Sequence, residues 1–207
     1  MENHRSVPVD WVGGEYVGFV INAVFSDENT RQINGWLDGL RKVAPEGIYC
    51  MPPKSLHITV LDWIAPLVDY DGRDKRAMYE EMSPAYEPVF RRITDQVAPF
   101  DVHFTEVRVT PGTIILVGQD DGQFQSVRSQ FVSSVTRPDG SKQPPNIIHS
   151  SLARFVAPEI DLVPVEQYVS EHPLDLTQHI AEFRLVETIR EPMQEFTVLD
   201  TFELAER

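Results

Sequence analysis

The sequence is short of several things, and each shortage removes a class of protein. Its one cysteine, Cys50, cannot form an internal disulfide, so a reducing compartment, the cytoplasm, is expected. No stretch reaches the roughly 18 consecutive apolar residues that a membrane span requires, and residues 1–6 lack the apolar core of a secretory signal. No membrane partner is expected. Basic residues are scarce, 18 Lys and Arg against 32 Asp and Glu, giving a net charge of −14. Such a surface repels a long polyanion, so groove binding to duplex nucleic acid is not expected. A small anionic ligand remains compatible, because a pocket of donors is locally positive even inside an acidic molecule.

What is present suffices for one sizeable core: 207 residues, 42% of them hydrophobic, with no low-complexity tract or long linker. A single domain over residues 1–207 is expected. Residues 16–25 read as a buried strand. Ile33, Trp36, Leu37, Leu40 and Val43 then recur at helical spacing over 27–43, behind Ser26 or Asp27 as N-cap. A second strand is predicted over 56–64, and a polar helix over 73–97 interrupted near Pro84. A hairpin (100–110 and 113–117) turns at Pro111-Gly112 and is followed by a helix over 123–135 and a strand over 147–156. A short helix near 165–170 and strands near 180–189 and 196–204 close the chain.

Two segments of this pattern are alike. Pro52-Pro53-Lys54-Ser55-Leu56-His57-Ile58-Thr59-Val60 overlies Pro144-Pro145-Asn146-Ile147-Ile148-His149-Ser150-Ser151-Leu152, and each copy follows a strand and an amphipathic helix. Proline is only 16 of 207 residues, so a second Pro pair at a prescribed offset is not a chance match. The duplication predicts two lobes related by a pseudo-twofold axis, whose histidines face one another.

On a strand, residues i and i+2 share a face, so His57 pairs with Thr59 and His149 with Ser151. Cleaving a phosphodiester needs a base for the attacking oxygen, an acid for the leaving oxygen, and donors for the non-bridging oxygens. Two imidazoles with unperturbed pKa values near 6.5 and two hydroxyls supply all four. Neither a metal nor a cofactor is required by that scheme. Asp101 and His103 would share a strand face, but no further ligands accompany them and no metal site is expected.

At these residues the sequence resembles the 2H phosphoesterase superfamily, whose mark is a pair of H-x-[ST]-x motifs, here His57-Ile58-Thr59-Val60 and His149-Ser150-Ser151-Leu152. The resemblance runs from about Tyr16 to Leu204. It implies an α+β, bilobal fold with antiparallel sheets facing across a central cleft and helices outside, and His57, Thr59, His149 and Ser151 as the catalytic set. The string His149-Ser150-Ser151-Leu152-Ala153-Arg154 is also similar to the H-x-T-L-A-R of the 2′-5′ RNA ligase-like branch, with serine where threonine is common.

Five further residues are candidates for substrate binding. Arg154 matches phosphate by type, although alternation points it away from His149 and favours a structural ion pair. Lys54, just before the first motif, would add charge at the rim. Tyr49, Trp63 and Phe155 could stack on a base, and the last two share the parity of their motif histidines. The expected function is a phosphodiesterase acting as a monomer on a cyclic phosphate, or on a 2′-5′ or cyclic-dinucleotide linkage, of a small nucleotide or short oligonucleotide. The alternatives are a nucleotide-binding sensor without turnover, and RNA end processing or 2′-5′ ligation, for which Arg184 and Arg190 could offer a basic strip.

Overall fold

In the computed structural model, which describes residues 6–44, 46–135 and 137–205, the first apolar run forms β1 (Glu15–Val24) and the amphipathic run forms α1 (Asp27–Val43). The Ser26 hydroxyl caps α1 by accepting from the Asn29 amide, and Ile33, Trp36, Leu37 and Leu40 are buried, as their spacing predicts. A short strand, β2 (Ile48–Cys50), and a single 3-10 turn (Pro53–Ser55) lead into β3 (His57–Ile64). Then come α2 (Lys75–Thr94), β4 (Phe100–Val109), β5 (Thr113–Gln119), α3 (Gln123–Ser134) and β6 (Ile148–Phe155). The chain closes with α4 (Val163–Glu171), β7 (Leu176–Ile180), β8 (Glu182–Arg190) and β9 (Glu195–Glu203).

The strands form two antiparallel sheets, one in the order β3-β1-β8-β9 and the other β2-β6-β5-β4-β7. β3 and β6, which carry the motifs, touch across the two sheets. Helices α2 and α3 pack against the first sheet, and α1 and α4 against the second. Their buried faces join one apolar core that includes Phe19, Ile58, Trp63, Phe104, Leu152 and Phe155. The result is an α+β fold with facing sheets and helices outside, as expected.

Three local expectations are corrected. Helix α2 is not interrupted at Pro84 but runs through both Pro84 and Pro88. Both prolines are on the exposed face, where the carbonyls they leave unbonded meet water, while Met78, Tyr86, Phe90 and Ile93 anchor the other face. Strand β2 is an addition to the expected elements, because three residues carry no period. Strand β7 is separate from β8, and Leu176, Gln178 and Ile180 alternate inward in it.

Candidate active site

The geometry of the site begins with an irregularity shared by the two motif strands. Along β3, Thr59 pairs with Asn22 but Leu61 pairs with Ile21, so Val60 is an extra residue in the ladder. Along β6, Ser151 pairs with Ile115 but Ala153 pairs with Ile114, so Leu152 is extra in the same place. Each is a β-bulge, and a bulge shifts by one the alternation of the side chains that follow it, up to the next irregularity, which in β3 falls at Trp63. The doublets Val60-Leu61 and Leu152-Ala153 are accordingly buried in succession. Both bulge carbonyls are satisfied: that of Val60 accepts from Arg128 Nε at 2.9 Å, and that of Leu152 accepts from the Met51 amide at 2.9 Å.

The shift decides which side chains reach the space between the sheets. A cavity of about 340 Å³ there is lined by His57, Thr59 and Asp62 from β3 and by His149, Ser151 and Arg154 from β6. Arg154 thus lies on the same face as His149, and the parity expectation that turned it away is corrected by the bulge at Leu152. Its Nη2 donates to Ser151 Oγ at 2.8 Å, which leaves the serine's own proton free for a ligand. Arg154 feels the charge of Glu191, and its guanidinium packs over Trp11 with its carbon 5.1 Å from the ring centre.

The same shift removes two expected aromatic ligands. Trp63 is 1% exposed and stacks on Tyr86, and Phe155 is 0% exposed, so both belong to the core and neither can receive a base. Trp11 is the aromatic side chain that lines the cavity. Tyr49 lies opposite Arg154 in register on β2, and Lys54 is exposed in the 3-10 turn, but neither lines the cavity. Lys142 does, from the loop before the second motif.

The two imidazoles have related but unequal supports. His57 Nδ1 donates to the Ser55 carbonyl at 2.7 Å, which fixes the tautomer and leaves the lone pair on Nε2. Ser55 is itself held, its buried hydroxyl donating to the Met193 carbonyl at 2.7 Å. For His149 the equivalent carbonyl is that of Ile147, which also favours the protonated ring, but the geometry is looser than a hydrogen bond. That carbonyl already accepts from Arg128 Nη1 at 3.2 Å.

Both rings are biased toward the neutral form. Burial lowers the His57 pKa to about 4 against the support of Ser55, and the His149 ring and Arg154 push the same way. His57 keeps some surface open to the cavity, so a bound anion can still reverse this. Burial also lowers the pKa of His149, with Arg154 and Arg128 adding to it. Arg128 is the strap between the lobes: 2% exposed, it donates to Val60 and Thr59 on β3 and to Ile147 just before β6.

Further residues converge on the cavity from the turn after β8, including Glu191 and Met193. Of these cavity residues, Asp62, Trp11, Lys142 and Glu191 are not among the candidates that the sequence suggests. A signal exists for Asp62, since the aligned strings His57-Ile58-Thr59-Val60-Leu61-Asp62 and His149-Ser150-Ser151-Leu152-Ala153-Arg154 share an apolar doublet before a charged residue. An unbroken strand does not place two apolar residues in succession beside a polar face. Among the described residues the other histidines pair elsewhere, His103 with Thr177, His179 with Asp101, and His172 with the Tyr168 carbonyl.

Comparison with solved structures places this architecture. TT0787 of Thermus thermophilus superposes with a TM-score of 0.60 at 23% identity, covering 92% of this chain and 100% of the other. A structure described as a phosphoesterase gives 0.62 at 18% identity, covering 92% and 99%. E. coli LigT complexed with 3′-AMP gives 0.58 at 15% identity, covering 93% and 100%. The chain has their fold. It is the fold that resemblance to the 2H phosphoesterases implies, and it extends over nearly the whole chain. No family model matches the sequence, and no curated protein does.

Proposed function

We propose that this protein is a phosphodiesterase that hydrolyses a cyclic phosphate, or a 2′-5′ or cyclic-dinucleotide linkage, of a small nucleotide, with His57 and His149 as its acid–base pair. One observation carries the reading. Strands from two different sheets deliver two imidazoles and two hydroxyls into one cavity. The phosphoesterase structure and the LigT complexed with 3′-AMP, which share the fold, are in keeping with it.

In the free protein burial biases both rings toward the neutral form. A bound phosphate supplies the missing counter-charge, so one ring acquires a proton while the other keeps its lone pair. The neutral ring takes a proton from water as it attacks phosphorus, and the imidazolium returns one to the leaving oxygen. Thr59 and Ser151 donate to the non-bridging oxygens, and Arg154 adds a two-pronged cation. Trp11 offers a ring on which a base can stack. Every group in this scheme comes from a single chain, so a monomer suffices.

The surface supports a small substrate over a long RNA. Arg184 pairs with Glu182, and Arg190 with Glu195 and Glu15, so these two arginines form no free basic strip. The test is turnover of a panel of 2′,3′-cyclic nucleotides and short 2′-5′ oligonucleotides in the presence of EDTA. The reading requires product from the wild type and a large loss in His57→Ala and His149→Ala; undiminished turnover in either variant overturns it. Binding without product after long incubation would favour a sensor instead.

A further inference from the structure

The cleft is nearly symmetric in its histidines and hydroxyls, and it is antisymmetric at the next position. Three residues after Thr59 stands Asp62, and three residues after Ser151 stands Arg154, each carried to the cavity by its bulge. A carboxylate beside a phosphate site weakens anion binding, so the phosphodiester chemistry alone gives no reason for it. Burial raises the pKa of Asp62, and the nearby charge of Lys142 opposes that rise and favours the carboxylate.

A second carboxylate lies close by. Glu191 is 7% exposed and lines the same cavity, with Oε2 accepting from the Met193 amide at 3.3 Å and Oε1 buried without a partner. Burial raises the pKa of Glu191 and the Thr188 hydroxyl beside it only partly offsets this; the proton of that hydroxyl goes to the Tyr16 carbonyl at 3.3 Å, so Oε1 stays open. Asp62 and Glu191 are near enough to repel, and Arg154 attracts Glu191. Buried acceptors left open in a ligand cavity are costly until a donor meets them. A donor carried by the substrate would meet them.

We propose that Asp62 and Glu191 are specificity residues: they accept hydrogen bonds from an uncharged donor group next to the reacting phosphate, and they reject substrates that carry a second phosphate there. This rests on the phosphate reading of the cleft given above. The preferred class is a nucleotide with one phosphodiester and a free hydroxyl or base N–H group beside it. Oligonucleotides and 5′-phosphorylated nucleotides, which bring a further negative charge to the carboxylates, are disfavoured. The bulges make the device possible, because an unbroken β3 would turn Asp62 into the core.

Calorimetry on the full chain tests this without depending on turnover. The probes are a nucleoside 2′-monophosphate and the matching 2′,5′-bisphosphate. The wild type should bind the monophosphate at least about tenfold more tightly, from one extra like-charge contact at intermediate dielectric. Asp62→Asn and Glu191→Gln should each bring that ratio toward one, with thermal unfolding confirming that each variant is folded. Two variants on different elements keep the test open if one fails to fold. Repeating the monophosphate titration with a 5′-deoxy sugar, and with each of the four bases, tells a sugar donor from a base donor. Binding of both probes alike by the wild type, or a ratio unchanged in the folded variants, overturns the inference while leaving the phosphate reading intact. Failure of the wild type to bind either probe overturns both.

Discussion

β3 and β6 carry near-copies of one motif that differ at the residues proposed to select the substrate. Each presents a histidine, then a hydroxyl, then a bulge, then a charged residue, and each histidine has a backbone carbonyl two residues upstream. In the proposed reaction proton transfer is two-sided, and the duplicated part is the part assigned to it. The charged residues are opposite in sign, Asp62 against Arg154, and the carbonyl of Ser55 bonds its ring where that of Ile147 is shared with Arg128. On the proposed reading duplication supplied the acid–base pair, and divergence at a few positions made the cleft directional.

Removing either imidazole is the strongest way to break the comparison. His57→Ala and His149→Ala should each lower kcat by about 10²- to 10⁴-fold in a steady-state assay, with the two losses of similar size because both ring roles are required. If one loss is small, the lobes do not share the chemistry.

Cutting the strap comes next. Arg128→Met removes three hydrogen bonds to carbonyls on or beside the two motif strands, and should cost about 3 kcal/mol or more in denaturant unfolding. A shift within measurement error would mean that the lobes hold their alignment without it.

Arg154→Gln should reduce kcat/KM by about 10- to 100-fold through loss of a charged phosphate ligand. It should also move the pH profile. Arg154 depresses both imidazole pKa values, so its removal shifts the limbs upward. In the wild type the optimum of kcat/KM should lie below about pH 6.5, because one ring must be protonated and both are disfavoured as cations. An optimum above about 7 would contradict the neutral bias.

Stability should follow the same bias. His57 is held at about 4 in the folded chain against about 6.5 unfolded, so its contribution is complete above pH 6.5 and is lost as the pH falls toward 4. Chemical denaturation across that window should show the fall, and His57→Gln should flatten it. The smallest effect is expected from Ser151→Thr, which matches the hydroxyl of the first motif and should change kcat by less than about threefold, whereas Ser151→Ala removes the donor.

Much of this arrangement is legible in the residues themselves. The repeated Pro-Pro and His-x-Thr/Ser strings locate both histidines and both hydroxyls, and the helical spacing of Ile33, Trp36, Leu37 and Leu40 locates α1. What misleads is strict alternation beyond the hydroxyls: it turns Arg154 outward and brings Trp63 and Phe155 into the cleft, each the reverse of the observed side. A bulge is a property of two paired strands, and one strand read alone shows it only as an apolar doublet.

By itself the sequence determined which histidines and hydroxyls pair in the cleft, because local spacing on a strand sets which neighbours share a face. Only the tertiary structure decided the rest of the cavity. Trp11, Lys142 and Glu191 come from segments far apart in the chain, and no local period connects them. The burial that lowers the pKa of both imidazoles likewise arises only when the two sheets close over them.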